Sequence, residues 1–389
     1  MAGTGRNLAL VGLMAAVIAA TAIALGSAMW ASAVAALLAL AGVVLLRGNR
    51  WRTGSLLAAA VALSLALLDA FAGLLTPTAY GAELERVTEP GYWPPYDPVL
   101  GFRPKPDSQA VHTATFGAEK VYRVTYNFDA DGARKGPAAP AGADTYLFVG
   151  DSFTFGQGLT DDQHLAAQFA KANDYKVSAV NLGVPGNSPN QMLRAFETGL
   201  LDAWQKRPVK AVVFWIIPAQ LARVTGDGTW LWDTPRYVLE DGKLRHTGTF
   251  NEYRWTRPWV GLKALLGEQF AFIDAIGREQ RQAEQVELYV AMLARLQAFV
   301  REKFKAPLVL AYSWPDEKSP TDHGASEYDQ TLLVGILARI RKLGMPMVRV
   351  DTAVGPTPVS QLLIPYDGHP SALQNELVAQ ALKKQLIRD

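Results

Sequence analysis

The chain reads as an α/β protein: a three-layer α/β/α sandwich around a five-stranded parallel sheet, preceded by three transmembrane helices. Three observations predict this. From residue 144 onward, short continuously apolar strands alternate with helices, the pattern of a parallel sheet covered on both faces. The first 75 residues hold three long apolar runs. Glycine-flanked loops at the carboxyl ends of predicted strands carry polar residues, and parallel sheets open their ligand crevice at those ends.

The elements follow in order. Residues 8–25, 29–46 and 54–75 each have roughly the 17–25 residues that cross a hydrocarbon core. Gly26, Ser27 and Ala28 make an uncharged turn between the first two runs, and Arg47, Arg50 and Arg52 lie between the second and third. With Arg6 ahead of the first run, the positive-inside rule places the N-terminus and the Arg-rich loop in the cytoplasm. Three spans then put everything after Leu75 in the periplasm, across the inner membrane of a bacterium-like cell. A signal peptide cleaved near Ala31-Ser32-Ala33 is the competing reading, but more apolar sequence follows at once. Asp69 is the single acid in these runs. It sits near the outer end, within reach of the headgroups.

The expected organisation is an anchor over 1–75, a juxtamembrane linker and small pre-domain over 76–143, and the α/β domain over 144–389. An insertion at about 224–277 interrupts the last. Residues 76–106 are rich in Pro, Gly and aromatics (Tyr92, Trp93, Pro94, Pro95, Tyr96) and read as an irregular linker near the membrane surface. Residues 121–128 alternate with tyrosines and predict a strand. Strands are expected at 146–149, 177–182, 211–217, 307–312 and 347–350. Helices are expected at 165–172, 191–204, 278–304, 328–343 and 372–387.

Composition narrows the chemistry. Among 389 residues, 38 basic side chains face 36 acidic ones, so no basic surface for nucleic acid is expected. There are no cysteines, which excludes thiolate nucleophiles and disulfides. The five histidines show no metal-ligand spacing, and neither a metal nor a cofactor is expected. The mean hydropathy of +0.05 is high because of the N-terminal runs.

The first strand of the α/β region runs into Gly150-Asp151-Ser152-Phe153-Thr154-Phe155-Gly156. A serine presented there needs a base, since its hydroxyl is a poor nucleophile at neutral pH. Asp367-Gly368-His369-Pro370, after the last strand, supplies an imidazole and a carboxylate to orient it. Asn181-Leu182-Gly183-Val184-Pro185-Gly186-Asn187, after the second strand, brings glycines whose N–H groups can approach an oxyanion.

These three blocks, in this order, resemble the SGNH (GDSL) hydrolase superfamily over residues 145–389. Asp97-Pro98-Val99-Leu100-Gly101-Phe102 is similar to segments that precede the domain in membrane-anchored members. The resemblance implies Ser152 as nucleophile, His369 as base, Asp367 as its orienter, and the N–H groups of Ser152 and Gly186 as oxyanion donors. It departs from the family pattern twice. The third block's asparagine aligns with Ala219, leaving Asn187 or Gln220 to substitute. Asp367 stands two residues before His369, where the family usually has three.

Asp151, Phe153, Trp230 and Trp232 are candidate substrate contacts. The tryptophans at 230, 232, 255 and 259 suit stacking on sugar rings, packing of the insertion, or a bilayer interface equally. His164, after Asp161-Asp162-Gln163, is expected to be exposed near a helix start. His323 with Asp316 and Asp322 lies in a polar loop that either rims the crevice or is simply solvated.

The expected function is ester chemistry on acyl groups, acetyl foremost, of envelope glycans through an acyl-Ser152 intermediate. Water as acceptor makes an esterase and a sugar hydroxyl an O-acyltransferase, the latter needing a separate membrane protein to deliver acyl groups. A weak or inactive glycan- or lipid-binding assembly protein and a membrane-associated lipase are the alternatives.

Overall fold

The computed structural model describes residues 2–25, 28–75, 84–90, 94–269, 276–314, 328 and 330–387. The Gly26-Ser27 turn, Tyr92, Trp93 and the loop with Asp316, Asp322 and His323 lie outside the described residues, as does the Asp69 side chain. The chain divides into two compact units, Met1–Gly81 with Arg257–Glu279, and Ala82–Thr256 with Gln280–Asp389. The insertion is therefore shared between them.

The first unit holds helices Ala2–Leu25, Ala28–Leu45, Asn49–Leu75 and Pro258–Gln269. Asn7, almost fully buried, donates to Arg47 O at 2.8 Å and accepts from Arg47 N at 3.1 Å. It thereby closes the end of the second helix. Helices form at all three predicted places. Among the described residues, however, only Asn49–Leu68 is long and apolar enough to cross a membrane. Arg6–Ile18 and Ser32–Leu45 are apolar but shorter, below the roughly 17–25 residues a span requires. The expectation of three spans is corrected to one at this level.

The second unit begins with β1 (Leu84–Glu89), the short pair β2 (Tyr96–Asp97) and β3 (Gly101–Phe102), then β4 (Gln109–Phe116) and β5 (Glu119–Asn127). β1, β4 and β5 form an antiparallel sheet in that order. The linker reading of 76–106 missed β1, whose Leu-Glu-Arg-Val-Thr-Glu sequence is largely exposed and has no apolar alternation to mark it.

The main sheet comprises β6 (Thr145–Gly150), β7 (Ser178–Gly183), β8 (Val209–Ile216), β11 (Leu308–Tyr312) and β12 (Met347–Arg349), with the hairpin β9 (Pro235–Glu240) and β10 (Lys243–Thr249) inserted between β8 and β11. Its order is β12-β11-β8-β6-β7 and every pairing is parallel. β8 is central, and its residues 211–216 are all buried.

Alternate residues of each strand enter opposite cores. Leu147, Phe214 and Leu310 join one, beneath helices Pro189–Glu197, Arg278–Phe304 and Gln330–Lys342. Phe148, Trp215 and Val309 join the other, beneath Leu165–Ala172, Val350–Val354 and Ala372–Leu386. This is the expected three-layer α/β/α sandwich. The helix expected at 191–204 starts earlier and ends sooner. Ser188 and Gln191 form a capping box around Pro189, and Gly199, at φ +76°, follows the last turn.

Candidate active site

Counted along the chain, the five parallel strands lie in the order 2-1-3-4-5. The direction of winding reverses between β6 and β8, and in open α/β sheets the ligand crevice lies at that switch, beyond the carboxyl ends. β6 ends there in Gly150, at φ +149°, where a Cβ would stand 2.3 Å from Thr154 Oγ1. The turn therefore requires glycine. It leads straight into the helical turn Ser152–Phe155, capped by Asp151, whose side chain accepts from Phe153 N at 3.0 Å.

Ser152 Oγ and His369 Nε2 are 2.8 Å apart, across 217 positions of sequence. His369 Nδ1 donates to Asp367 Oδ1 at 2.8 Å. The Asp367 side chain is fully buried and also receives Arg86 Nη2 from β1. Burial pushes the Asp367 carboxyl up, but the His369 hydrogen bond and charge, followed by those of Arg86, outweigh it and bring it down to about 2. The group stays ionised at neutral pH. The shorter spacing works because Tyr366 and Gly368 both take positive φ, 60° and 74°. Ile364 O accepts from Asp367 N and Gly368 N, and Ile364 N donates back to His369 O at 2.8 Å. Asp367 and His369 thus project from one tight loop.

The backbone N–H groups expected as oxyanion donors are those of Ser152 and Gly186. Ser152 N–H belongs to the first turn of its helix, where no intrahelical acceptor exists. Gly186, at φ +82°, sits in a turn closed by Asn187 N donating to Val184 O. Among the described residues neither N–H has a hydrogen-bond acceptor.

The remaining candidates divide. Gln220 is not available as an oxyanion donor: its Nε2 donates to Asp151 Oδ2 at 3.0 Å and Trp215 O at 3.2 Å, and its Oε1 accepts from Tyr289. Asp151 is not a substrate contact. Its side chain is fully buried, held by Gln220 and by Arg223 Nη1 at 2.8 Å. Arg223 Nη1 also donates to Asn187 O at 2.9 Å, so one guanidinium ties the Gly186 turn to the cap of the Ser152 helix. Asn187 is buried and its Oδ1 has no hydrogen-bond partner among the described residues. Ala219 begins the turn Gln220–Arg223 with no side-chain hydrogen bond.

Phe153 packs against both His369 and Trp215, ring centroids 5.4 and 5.7 Å away. Trp230 is 53% exposed, and its indole nitrogen lies with Phe102 against the open side of Gly186. Trp232 instead lies under the Arg254 guanidinium, 4.5 Å from the ring centroid, and packs the insertion. Trp255 and Trp259 are exposed.

His164 is corrected outright. It is fully buried, caps helix Leu165–Ala172 through Ala167 N, and donates from Nε2 to Lys135 O at 2.9 Å. Burial, with Arg134 adding to it, brings it down to about 3, so it is neutral and structural. Among the described residues no cluster of three or more His, Asp or Glu is placed to hold a metal ion.

Three groups behind the site escaped the sequence reading. Besides Arg86, Tyr122 and Tyr126 of β5 face the same region. Burial, then the Asp367 charge, raises the Tyr122 phenol. Tyr126 Oη meets His112 Nδ1 and accepts from Gly158 N, both at 2.9 Å. The only signal in the sequence was the tyrosine alternation of 121–128.

No known protein family and no curated protein sequence matches this chain. Solved structures similar to it include a member of the lipolytic protein G-D-S-L family from Veillonella parvula DSM 2008, 11% identical with a TM-score of 0.36, covering 62% of this chain and 97% of its own. A family 3 carbohydrate esterase of Clostridium thermocellum is 12% identical with a TM-score of 0.35, covering 62% and 94%. The SGNH-hydrolase family esterase AlinE4 is 17% identical with a TM-score of 0.31, covering 57% and 84%.

Proposed function

We propose that the chain is a serine ester hydrolase that works through an acyl-Ser152 intermediate. The observation that carries this is the continuous relay of Ser152 Oγ, His369 and the buried Asp367, each contact 2.8 Å. His369 Nε2 takes the Oγ proton as Oγ bonds to the acyl carbonyl carbon. The carbonyl oxygen, now an anion, faces the N–H groups of Ser152 and Gly186. The proton passes from Nε2 to the departing alcohol oxygen as the C–O bond breaks. Water, deprotonated by the same nitrogen, then releases the acid and restores Ser152. A sugar hydroxyl in place of that water makes the reaction an O-acyl transfer.

The acyl group on an envelope glycan is the substrate we favour. Trp230 is half exposed, with its indole nitrogen beside Gly186, and an aromatic side chain there suits the C–H face of a sugar. We place the site outside the cytoplasmic membrane, tethered by Asn49–Leu68. Arg47, Arg50 and Arg52 flank the start of that helix. With those arginines on the cytoplasmic side, the single span puts the proposed catalytic unit on the outer side. Two observations favour a slow enzyme or a binding protein: Ala219 offers no donor, and Gln220 is committed to Asp151.

The test uses the full chain in detergent. It is expected to hydrolyse p-nitrophenyl acetate and to take a fluorophosphonate at Ser152, and Ser152→Ala should lose both. Equal rates in the two proteins overturn the enzyme reading. Since the native chain has no cysteine, single cysteines at Arg50 and Lys243 report sidedness through an impermeant maleimide.

A further inference from the structure

Arg86 reaches the relay from outside the α/β sandwich. Its strand β1 pairs with β4 so that Arg86 stands opposite Ala114, and β5 places Tyr122 opposite Ala114 on the other side. Directly paired residues of antiparallel strands share a face, so Arg86, Ala114 and Tyr122 form one row. Ala114 is fully buried, and its small side chain leaves the two long ones room to converge on Asp367. The same face continues along β4, where Phe116 stacks flat on Tyr366 with ring centroids 4.2 Å apart. Ala114 and Tyr122 also share an apolar cluster with Leu159 and Ile364. The loop that carries Asp367 and His369 is therefore seated on the small sheet as well as on its own domain.

We infer that Arg86 is a positioning residue for the relay, a counter-ion delivered by the pre-domain sheet that fixes the Asp367 carboxylate for His369. A buried carboxylate with one oxygen on an imidazole is free to pivot about its side-chain torsions. Arg86 binds Oδ1, the oxygen that His369 uses, while Oδ2 has no hydrogen-bond partner among the described residues. Two donors converging on one oxygen fix where that oxygen sits, and its position sets the direction of the Nδ1–H bond. The guanidinium also offsets the cost of keeping that carboxylate ionised away from water. This rests on the Ser152 relay proposed above, so its test needs one readout that does not depend on turnover.

The variants are Arg86→Gln and Arg86→Lys in the full chain, with Arg123→Ala as the control. Arg123 belongs to the same sheet but pairs with Glu89 at 3.8 Å. The first readout is the low-field proton resonance of the His369 Nδ1–H, assigned by its loss in His369→Ala. It is expected to move or broaden in Arg86→Gln, to persist in Arg86→Lys and to be unchanged in Arg123→Ala. The second is p-nitrophenyl acetate kinetics. Arg86→Gln is expected to lower kcat about tenfold, the scale of one lost charge-assisted hydrogen bond, with KM within twofold. Added guanidinium is expected to restore part of that kcat, since the Arg86 side chain is 38% exposed. An unchanged resonance in Arg86→Gln overturns the assignment. Loss of the resonance together with a Ser152→Ala variant as active as the native chain supports the positioning and sinks the enzyme reading alone.

Discussion

Replacing Asp367 by asparagine probes the relay most sharply. The Asp367 Oδ1 and His369 Nδ1 atoms are 2.8 Å apart, which puts the charge centres of a carboxylate and an imidazolium about 4 Å apart. At an effective dielectric near 20 that pair is worth about 4 kcal/mol. In the proposed reaction His369 becomes an imidazolium as it takes the Ser152 proton, so the attraction acts chiefly on the transition state. Its loss corresponds to about 10³ in kcat. Asparagine also offers an N–H toward Nδ1, which favours the tautomer with the proton on Nε2, the wrong one for accepting from Ser152.

The sign of a second substitution makes the prediction specific. Arg86 binds the carboxylate and helps the native site only through it. Once Asp367 is neutral, the guanidinium simply repels the imidazolium, so adding Arg86→Gln to Asp367→Asn is expected to raise kcat several-fold. Steady-state hydrolysis of p-nitrophenyl acetate by the four proteins of the cycle measures this. The reasoning is refuted by an Asp367→Asn variant within tenfold of the native kcat. An Arg86→Gln change that harms both backgrounds by the same factor refutes it equally.

Three further outcomes follow from the same geometry. Ala219→Asn supplies the side-chain donor that position lacks and is expected to raise kcat at least tenfold, since one oxyanion donor is typically worth about 10²–10³; unchanged hydrolysis places residue 219 away from the oxyanion. Arg134→Met is expected to cost about 3–5 kcal/mol in a urea melt, because its fully buried guanidinium serves the carbonyls of Phe155, Gly156 and Leu159 and pairs with Asp161; a loss below 1 kcal/mol contradicts that. His164 and His112 are held neutral, down to about 3 and about 4 by burial, whereas the unfolded chain protonates them near 6.5. Below that pH the unfolded state binds more protons, so stability is full above about 6.5 and falls toward 4, by up to about 2.7 kcal/mol per pH unit for two groups. His164→Asn, which keeps a capping side chain, is expected to flatten that slope in calorimetry, and an unaltered slope rejects the assignment.

The legible parts of this protein were those with a local physical signature. β8, β11 and β6 announced themselves because a strand buried on both faces is continuously apolar. Ser152 and His369 stood out together, because a serine needs a base and the glycine-flanked blocks that carry them stand in a characteristic order along the chain. What escaped had its cause far away in sequence. Nothing in Leu-Glu-Arg-Val-Thr-Glu marks Arg86 as different from any solvated arginine until β4 brings it to a loop 281 positions on. His164 misled because the acidic and polar residues before it suggest solvent, while its own ring turns inward as a cap. Gln220 and Asp151 looked like side chains free to meet a ligand. Their commitment to each other and to Arg223 depends on the packing of the β6 and β8 ends.

The row of Arg86, Ala114 and Tyr122 bears on where this gene tolerates cutting and recombination. A fragment beginning at β6 encodes every group expected to meet an ester, yet forfeits the cation behind its acid. Exchange of this unit between proteins is thus expected to succeed only with junctions upstream of Leu84, so that strand and sandwich are inherited as one cassette.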